Sequence, residues 1–182
     1  MAHNVIIKVQ TQSFNVDALN RTAIYAGGNL DNGSVVALNT KSAGIGHWVA
    51  TLPTAGDTSP AYWMIASPEV DFVDKTHGYS EDPRDFANIA GRPMDAFCPQ
   101  VGDQIEMLGE FNGSAISNIA TKNYLNSNTS GTFDAADAAG TSGIVLKKVG
   151  TNTLKIGDGA IAPAAITSYV YEVVLNKAIP AG

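Results

Sequence analysis

The stretch from Ser67 to Leu108 contains most of the residues in this chain that could carry out chemistry. Pairs of carboxylates can act as general acid and base, and this stretch is rich in them. On a strand, Glu69 and Asp71 would share one face while Val70 and Phe72 occupy the other, which is typical of a strand with one solvated face. Further carboxylates that follow in this stretch include Asp74, Glu81, Asp82, Asp85 and Asp95. The pattern favours a structural interpretation, and a hydrolase that loses activity when Glu69 or Asp71 is replaced remains a minor alternative.

Spacing gives no complete metal-binding or nucleophile motif. Calcium loops follow a D-x-[DN]-x-[DN]-G pattern, of which Asp31–Gly33 and Asp158–Gly159 are only fragments, so calcium at a loop stays open. The histidines, at positions 3, 47 and 77, show no zinc-ligand spacing with Cys98. A lone cysteine within Ala-Phe-Cys-Pro is typically a small buried apolar residue. Since dinucleotide, phosphate-loop and nucleophile-elbow motifs are also missing, the sequence predicts no catalytic residue, cofactor or metal ion.

Composition narrows the function classes further. The 182 residues fit one domain large enough to bury a core. The net charge is -6, and the positive charges are scattered, whereas a nucleic-acid surface needs them clustered. No apolar run approaches the roughly 20 residues of a membrane span, and the opening MAHNVIIKVQ lacks the features of a secretory signal. We therefore expect neither nucleic acid nor a membrane as a partner.

Arginine and aromatic residues within the same stretch favour a docking surface. Arg84 and Arg92 lie near Tyr79 and Phe86, among polar neighbours. Both residue types are enriched at protein interfaces. Trp63, by contrast, lies inside an apolar run and is predicted to pack in the core.

The elements that must position these residues are mostly strands. Runs rich in β-branched and aromatic residues, bounded by turn residues, predict them. The predicted strands cover residues 5–10, 35–38, 47–52, 62–66, 69–74, 104–108, 144–149, 153–156 and 168–175. Asn32-Gly33 predicts a tight hairpin turn before the second strand. Gly150–Asn152 predicts a hairpin between the two strands that flank it.

Two segments lack strand signals. Residues 83–90 fit a short helix, with Pro83 at its first position and Gly91 ending it. Residues 111–142 are rich in Asn, Ser, Thr, Ala and Gly, which predicts a polar insertion or extended loop with little core of its own. Residues 1–182 are thus predicted to form a single, mainly β domain, a small β-barrel or β-sandwich of short antiparallel strands with long loops and at most one or two short helices.

Five segments, in order, carry a resemblance to a known family. They are VIIKVQTQSF (5–14), DNGSVVAL (31–38), MIASPEV (64–70), DFANIAGRP (85–93) and VGDQIEM (101–107). Together they resemble the small capsid decoration, or head auxiliary, proteins of tailed bacteriophages. The resemblance covers roughly residues 4–110, and residues 111–142 have no counterpart in it.

The resemblance implies a non-enzymatic structural protein of the virion. Such a protein is assembled in the host cytoplasm, binds the capsid exterior and reinforces contacts between subunits of the major capsid protein. Its partners would be the major capsid protein and, on the shell, a second copy of itself. We expect the N-terminal strand to pair with an exposed edge on the shell. The candidate interface residues are Val5, Ile7, Val9, Tyr79, Arg84, Phe86 and Arg92.

The alternative is a carbohydrate- or receptor-binding module of the virion. In that case exposed aromatic rings would stack on host glycans. The rings considered for this role are Trp48, Trp63, Tyr79 and Phe86.

Overall fold

The fold is mainly β, which confirms the predicted class. The computed structural model describes residues 5–43, 46–69, 86–108, 119–156 and 164–180. Within these ranges the regular elements are eleven strands and two short 3-10 helices, Ser13–Asn15 and Asp17–Leu19. The strands are β1 (Ile6–Gln10), β2 (Asn20–Ile24), β3 (Val35–Lys41), β4 (Trp48–Thr51), β5 (Trp63–Ile65), β6 (Pro93–Phe97), β7 (Gln104–Leu108), β8 (Tyr124–Ser127), β9 (Phe133–Ala136), β10 (Gly143–Ile156) and β11 (Ala164–Lys177).

Five strands close into a barrel in the order β2-β4-β3-β5-β6, with β6 pairing back to β2. Its neighbouring strands are antiparallel except for β2 and β4, which run parallel. Because the diameter of a barrel grows with its number of strands, five strands enclose a narrow interior. Small and medium-sized apolar side chains fill it: Ala23, Val36, Leu38, Ala50, Ile65, Met94 and Ala96.

The other six strands form an open antiparallel sheet in the order β1-β7-β11-β10-β8-β9. Its longest pair is β10 with β11, matched from Gly143 opposite Lys177 to Ile156 opposite Ala164. Its edges are β1 and β9. An edge strand presents backbone donors and acceptors on one side, so among the described strands of this sheet β1 and β9 are those to which another strand could add.

One hydrophobic core joins the barrel to the sheet. Met64 and Phe97, on the barrel strands β5 and β6, are fully buried in the same cluster as Ile105 and Tyr171 of the sheet. The ring centroids of Phe97 and Phe14 are 4.3 Å apart. Strand alternation explains the arrangement, because residues next to each other on a barrel strand point alternately into the barrel and towards the sheet.

A polar contact also closes the seam between the two sheets. Asn176, on β11, accepts a hydrogen bond from the backbone N–H of Tyr62 at 2.9 Å. Its amide group donates to the carbonyl oxygens of Tyr62 and Pro99, each at 2.9 Å. One side chain of the sheet therefore satisfies three backbone groups next to the barrel strands β5 and β6.

Residues 143–156 form one strand rather than two, so the predicted hairpin at Gly150–Asn152 is wrong. The pairing of β10 with β11 shifts register between Lys148 and Gly150, and Val149 between them is 46% exposed. A β-bulge absorbs one extra residue without reversing the chain. Gly150 and its neighbours therefore continue along β11 instead of folding back.

Residues 119–142 differ from the predicted extended loop. They contain the antiparallel pair β8 and β9, and Ile119, Leu125 and Phe133 are buried in the shared core. These three large apolar residues of the polar segment thus point inward. Gly131 lies where the hairpin meets the barrel, since its carbonyl accepts a hydrogen bond from the N–H of Val35 at 2.8 Å.

Two local predictions, the helix at residues 83–90 and the hairpin turn at Asn32-Gly33, need correction. The described part of the predicted helix, residues 86–90, is not helical, because Asn88 forms a β-bridge with Leu30. Asn32-Gly33 does form a turn, with Gly33 at φ 89° and Ser34 donating to the carbonyl of Asp31. That turn joins the bridge to β3, which pairs with β4 and β5, so it does not connect a hairpin.

Candidate functional site

The long excursion between β5 and β6 leaves and rejoins the barrel through one polar cluster. Ser67, at its start, donates from its hydroxyl group to the side-chain oxygen of Asn88, near its end, at 2.5 Å. The amide group of Asn88 donates to the side-chain oxygen of Asn32 and to the carbonyl of Leu30, both at 3.1 Å. Asn32 donates in turn to Ser67 at 2.9 Å and to the Glu69 carboxylate at 3.0 Å.

This cluster is buried and tied to the barrel. Asn32 is 1% exposed and Asn88 5%. The backbone N–H of Asp95, on β6, donates to the Ser67 hydroxyl at 3.0 Å, and the N–H of Gly33 donates to the carbonyl of Ile65, on β5, at 2.7 Å. Buried amides with complete hydrogen bonding hold their surroundings in one arrangement. The two ends of the excursion are therefore fixed side by side on a closed scaffold.

The predicted loop residues lie in or beside this excursion. Tyr79, Arg84 and His77 are outside the described residues, as are Asp71, Asp74, Glu81, Asp82 and Asp85. Phe86 is partly buried, and Arg92 is exposed in the turn that leads into β6. Of Glu69 and Asp71, the pair weighed for acid–base chemistry, Glu69 lies within the described residues and accepts the hydrogen bond from Asn32.

The predicted N-terminal strand is β1, at the edge of the open sheet. It pairs with β7 on one side, from Ile6 opposite Met107 to Gln10 opposite Gln104. Among the described residues no strand pairs with its other side. Val9 is 45% exposed and Ile7 is partly buried, whereas Val5 is only 4% exposed and belongs to the interior. The outer part of β1, rather than its beginning, is available for contact.

A groove of about 410 Å³ lies where β1 ends. It is formed by residues 10–12 and 15 on one side and residues 100–103 on the other. The carboxylate of Asp103, itself 3% exposed, accepts hydrogen bonds from the N–H groups of Gln12 and Gln100, each at 2.9 Å. Val101 on the rim is 68% exposed. Asp103 therefore fixes the backbone on both walls beside the open edge.

The sequence did not indicate a second cluster, at the end of the barrel. The guanidinium carbon of Arg21, on β2, lies 5.8 Å from the ring centroid of Trp48, on β4, and 5.4 Å from that of Trp63, on β5. These distances are within the range of cation–π contacts. Both indoles also pack against the barrel core, as predicted for Trp63.

Strand alternation explains why these three side chains meet. Arg21 is two residues before Ala23, Trp48 two before Ala50 and Trp63 two before Ile65, and each second residue of these pairs lines the barrel interior. Residues two apart on a strand share a face. Only Ala23 and Ile24 are apolar in β2, so no local pattern predicts a strand there. The aromatic residues of β4 and β5 were the only available sign of this cluster.

A buried carboxylate lies in the open sheet. Glu106, on β7, is 5% exposed and accepts hydrogen bonds from the hydroxyl group of Ser168 and from the amide of Asn152 at 3.2 Å. Both donors come from the β10–β11 pair, where Asn152 lies opposite Ser168. In the part of the chain that the structure describes, no lysine or arginine pairs with Glu106. This carboxylate therefore joins β7 to the β10–β11 pair.

Cys98 has the buried position that the sequence predicted, with 6% of its surface exposed. Burial raises the pKa of its thiol, although contacts from Gln100 and Asn176 act in the opposite direction. The two side-chain nitrogens lie 3.5 Å and 3.7 Å from the sulfur. A thiol with a raised pKa is a poor nucleophile at neutral pH.

The described residues contain neither a cluster of metal ligands nor a helix that could cross a membrane. No cluster of three or more histidine, cysteine or acidic side chains there could hold a metal ion. No helix in the same ranges combines the length and apolarity that a membrane crossing requires. Comparison of the chain with protein-family models, curated proteins and solved structures gives no match in any of the three.

Proposed function

We propose that this protein is a capsid decoration protein of a tailed bacteriophage. It binds the outer surface of the assembled capsid and reinforces contacts between subunits of the major capsid protein. The observation that carries the proposal is the open edge of β1, next to the groove at residues 10–15 and 100–103. A second copy of the chain on the shell is the other partner that the proposal allows.

The edge of β1 supplies a general means of docking. An extended segment of a capsid subunit can add to it as a further strand, with backbone hydrogen bonds providing affinity and side chains providing register. Val9 and Ile7 would contact that segment. The neighbouring strand β7 is held firmly, because it is paired on both sides. The edge is therefore presented by a rigid support.

The excursion supplies a second contact region. Its two ends are fixed by the Asn32–Asn88 cluster, and Phe86 and Arg92 lie beside the second end. Rigid scaffolds that carry long loops are a common way to present binding residues. Modest contacts at two regions, repeated over many copies on one shell, add up to substantial reinforcement.

The geometry at Trp48 and Trp63 makes the carbohydrate-binding alternative less favourable. Sugar stacking requires a free ring face. The Arg21 guanidinium lies over both rings, and both rings also pack against the barrel core. Decoration of the capsid remains the preferred proposal.

Sedimentation with undecorated capsids of the encoding phage tests the proposal. The protein should bind the shells saturably and raise their resistance to heat. Val9→Lys should weaken binding, because a lysine on an edge strand blocks strand addition. Val149→Lys is the matched control, since Val149 is 46% exposed against 45% for Val9 and lies at a bulge inside the sheet.

Either of two results would count against the proposal: no saturable binding by the folded wild-type protein, or equal loss of binding in both variants. Deletion of residues 1–10 is a less clean test, although it too should abolish binding. It removes Val5 and Ile6, which are 4% and 8% exposed, and so also removes part of the interior. A truncated protein must be shown to be folded before its binding is interpreted.

A further inference from the structure

The cluster of Arg21, Trp48 and Trp63 at the end of the barrel offers hydrogen-bond donors without matching acceptors. Arg21 uses one terminal nitrogen, Nη1, to donate to the carbonyl oxygens of Asp17 at 3.3 Å and Asn20 at 3.0 Å. No described carboxylate pairs with its guanidinium. A guanidinium has five N–H donors and an indole has one, and neither group accepts a hydrogen bond.

These donors are accessible from solvent. Arg21, Trp48 and Trp63 are all partly exposed. Over the described ranges, the one buried side-chain nitrogen or oxygen without a partner is the hydroxyl oxygen of Ser13. A ligand can therefore reach the spare N–H groups of Arg21 without any rearrangement of the barrel.

A second cation, Lys41, lies on the same face of the barrel sheet as Trp48. Lys41, at the end of β3, is directly opposite Trp48 in the β3–β4 pair and is exposed. Residues directly opposite in an antiparallel pair project from the same face of the sheet. On a chain with a net charge of -6, two cations beside two indoles form a local exception to the overall charge.

We infer that this end of the barrel binds a carboxylate from an acidic segment of a partner protein. The planar fork of Arg21 can hold a carboxylate through two parallel hydrogen bonds, and the flanking indoles hold the fork in place. Lys41 adds attraction at longer range. The inference rests on the proposed function for the identity of the partner, which would be a capsid subunit, and it names the chemistry that the subunit must present.

The two tryptophans make the test direct, because the chain has only these two and both lie at this site. The probe is the peptide acetyl-Ala-Glu-Glu-Ala-amide, titrated into the full chain while tryptophan emission is recorded. A saturable change is expected with this peptide, and no change with the same peptide carrying Gln in place of Glu. The signal should weaken with added salt, because surface ion pairs are screened.

Variants assign the response to the guanidinium. Arg21→Gln should weaken binding of the peptide by about tenfold or more, because it removes a charge-assisted, two-point contact. Arg21→Lys should recover only part of the affinity, since it keeps the charge and loses the fork. Lys147→Gln, an exposed lysine on β10, is the control with the same change in charge and should bind as the wild type does.

Two results overturn the inference: equal responses to the Glu and Gln peptides, or unchanged binding by Arg21→Gln with a native circular-dichroism spectrum. If Arg21→Gln does not fold, Lys41→Gln serves instead, with an expected weakening of about two- to threefold. Sedimentation with shells separates the two proposals. Shell binding that is unaffected by Arg21→Gln would also overturn the inference and leave capsid decoration standing, whereas peptide binding without any shell binding would overturn capsid decoration and leave the carboxylate site standing.

Discussion

The closed barrel and the open sheet solve the problem of strand edges in opposite ways. The barrel pairs β6 back to β2, so each of its five strands has two neighbours. The sheet ends in β1 and β9, each with one neighbour among the described strands. Closure removes the edges through which strands associate, whereas an open sheet keeps them. The barrel is therefore suited to hold side chains and loops in place, and the sheet is suited to accept another strand.

The barrel interior and the core that the barrel shares with the sheet also differ in the size of their side chains. The barrel interior contains Ala23, Ala50 and Ala96, whereas the core shared with the sheet contains Phe97, Phe133 and Tyr62. Most of the buried apolar volume thus lies between the two sheets rather than inside the barrel. We expect the barrel to depend on the sheet for its stability, and the two to unfold together.

Phe97→Ala should lower the stability of the protein most, because it removes a side chain from the core that the barrel shares with the sheet. Phe97 is fully buried, lies on a barrel strand and stacks near Phe14 in the shared core. Its truncation should lower the free energy of unfolding by about 3–5 kcal/mol. Urea titrations followed by tryptophan emission, which reports on the barrel, and by circular dichroism, which reports on both sheets, should give coincident transitions.

Separate transitions by the two probes would show that the barrel is stable without the sheet. Val101→Ala is the control for the mutation itself. Val101 is 68% exposed, so its truncation should change the free energy of unfolding by less than about 0.5 kcal/mol.

Gly131→Ala should have the next largest effect, because it acts on the contact between the β8–β9 hairpin and the barrel. At Gly131 φ is +74°, and an added Cβ would lie 2.8 Å from both the carbonyl oxygen of Val35 and a methyl carbon of Leu52. Gly91 has φ +75° with nothing within 4 Å of an added Cβ. Both substitutions carry the cost of a left-handed backbone, about 1–2 kcal/mol.

Gly131→Ala should exceed Gly91→Ala by about 1–3 kcal/mol, the usual cost of overpacking. Thermal unfolding of the two variants side by side measures this difference. Equal destabilisation would mean that the hairpin moves away from β3 at little cost, and that the two sheets are joined less tightly than the shared core indicates.

Strands rich in β-branched and aromatic residues could be predicted from the sequence. Strands that form only because other strands of the fold pair with them could not. β1, β3, β5 and β11 contain runs of Val, Ile, Trp and Tyr, and all four were predicted. β2 and β6 read NRTAI and PMDAF, and they are strands because the barrel pairs them with each other. Because proline and polar residues are depleted in strands, the proline at the start of β6 and the polar residues of β2 argue against a strand in either segment.

For the candidate site, too, the local features could be predicted from the sequence, and the contacts between distant residues could not. The exposed edge at Val9 follows from a β-branched run near the N-terminus, but the burial of Val5 depends on packing that no local pattern reveals. The meeting of Arg21 with Trp48 and Trp63 requires the pairing order of the barrel. Asn32 and Asn88, which close the excursion, are far apart in sequence and meet only through the Leu30–Asn88 bridge.

Asn88→Ala should have an intermediate effect, confined to the stem of the excursion. It removes the acceptor for Ser67 and the donor to Asn32 and Leu30, and it leaves buried polar groups unpaired. The expected loss is about 1–3 kcal/mol. Asn29→Ala is the matched control, because Asn29 accepts a hydrogen bond from the N–H of Ala90 but is exposed.

Trypsin cleavage after Lys75 and Arg84 localises the effect, since both sites lie between the two ends that Asn88 helps to hold. Cleavage there should be faster in Asn88→Ala than in Asn29→Ala, at a temperature where both variants remain folded. Equal rates would mean that the barrel holds the ends of the excursion through its strands alone, without the buried amides.

Asp57→Asn should have the smallest effect and a distinct dependence on pH. Burial raises the pKa of Asp57, but hydrogen bonds from the backbone and hydroxyl of Thr54, from Tyr62 and from Asn39 outweigh it and hold the pKa below its ordinary value. The Tyr62 hydroxyl also accepts a hydrogen bond from the N–H of Ile179, beyond the end of β11, at 3.2 Å. Asp57 thus supports a surface link between the barrel and the end of the sheet.

Because the folded pKa of Asp57 lies below its unfolded value of about 3.9, its contribution is complete above about pH 4 and is lost as the pH falls through the folded pKa. Melting temperatures of the wild type and Asp57→Asn should therefore differ most near neutral pH and converge below about pH 4. Asp134→Asn, at an exposed position on β9, controls for the loss of one negative charge. A difference between wild type and Asp57→Asn that stays constant across this range would exclude the ionised carboxylate as the stabilising form, and the barrel and sheet would then be joined without it, through the shared core and the hydrogen bonds of Asn176.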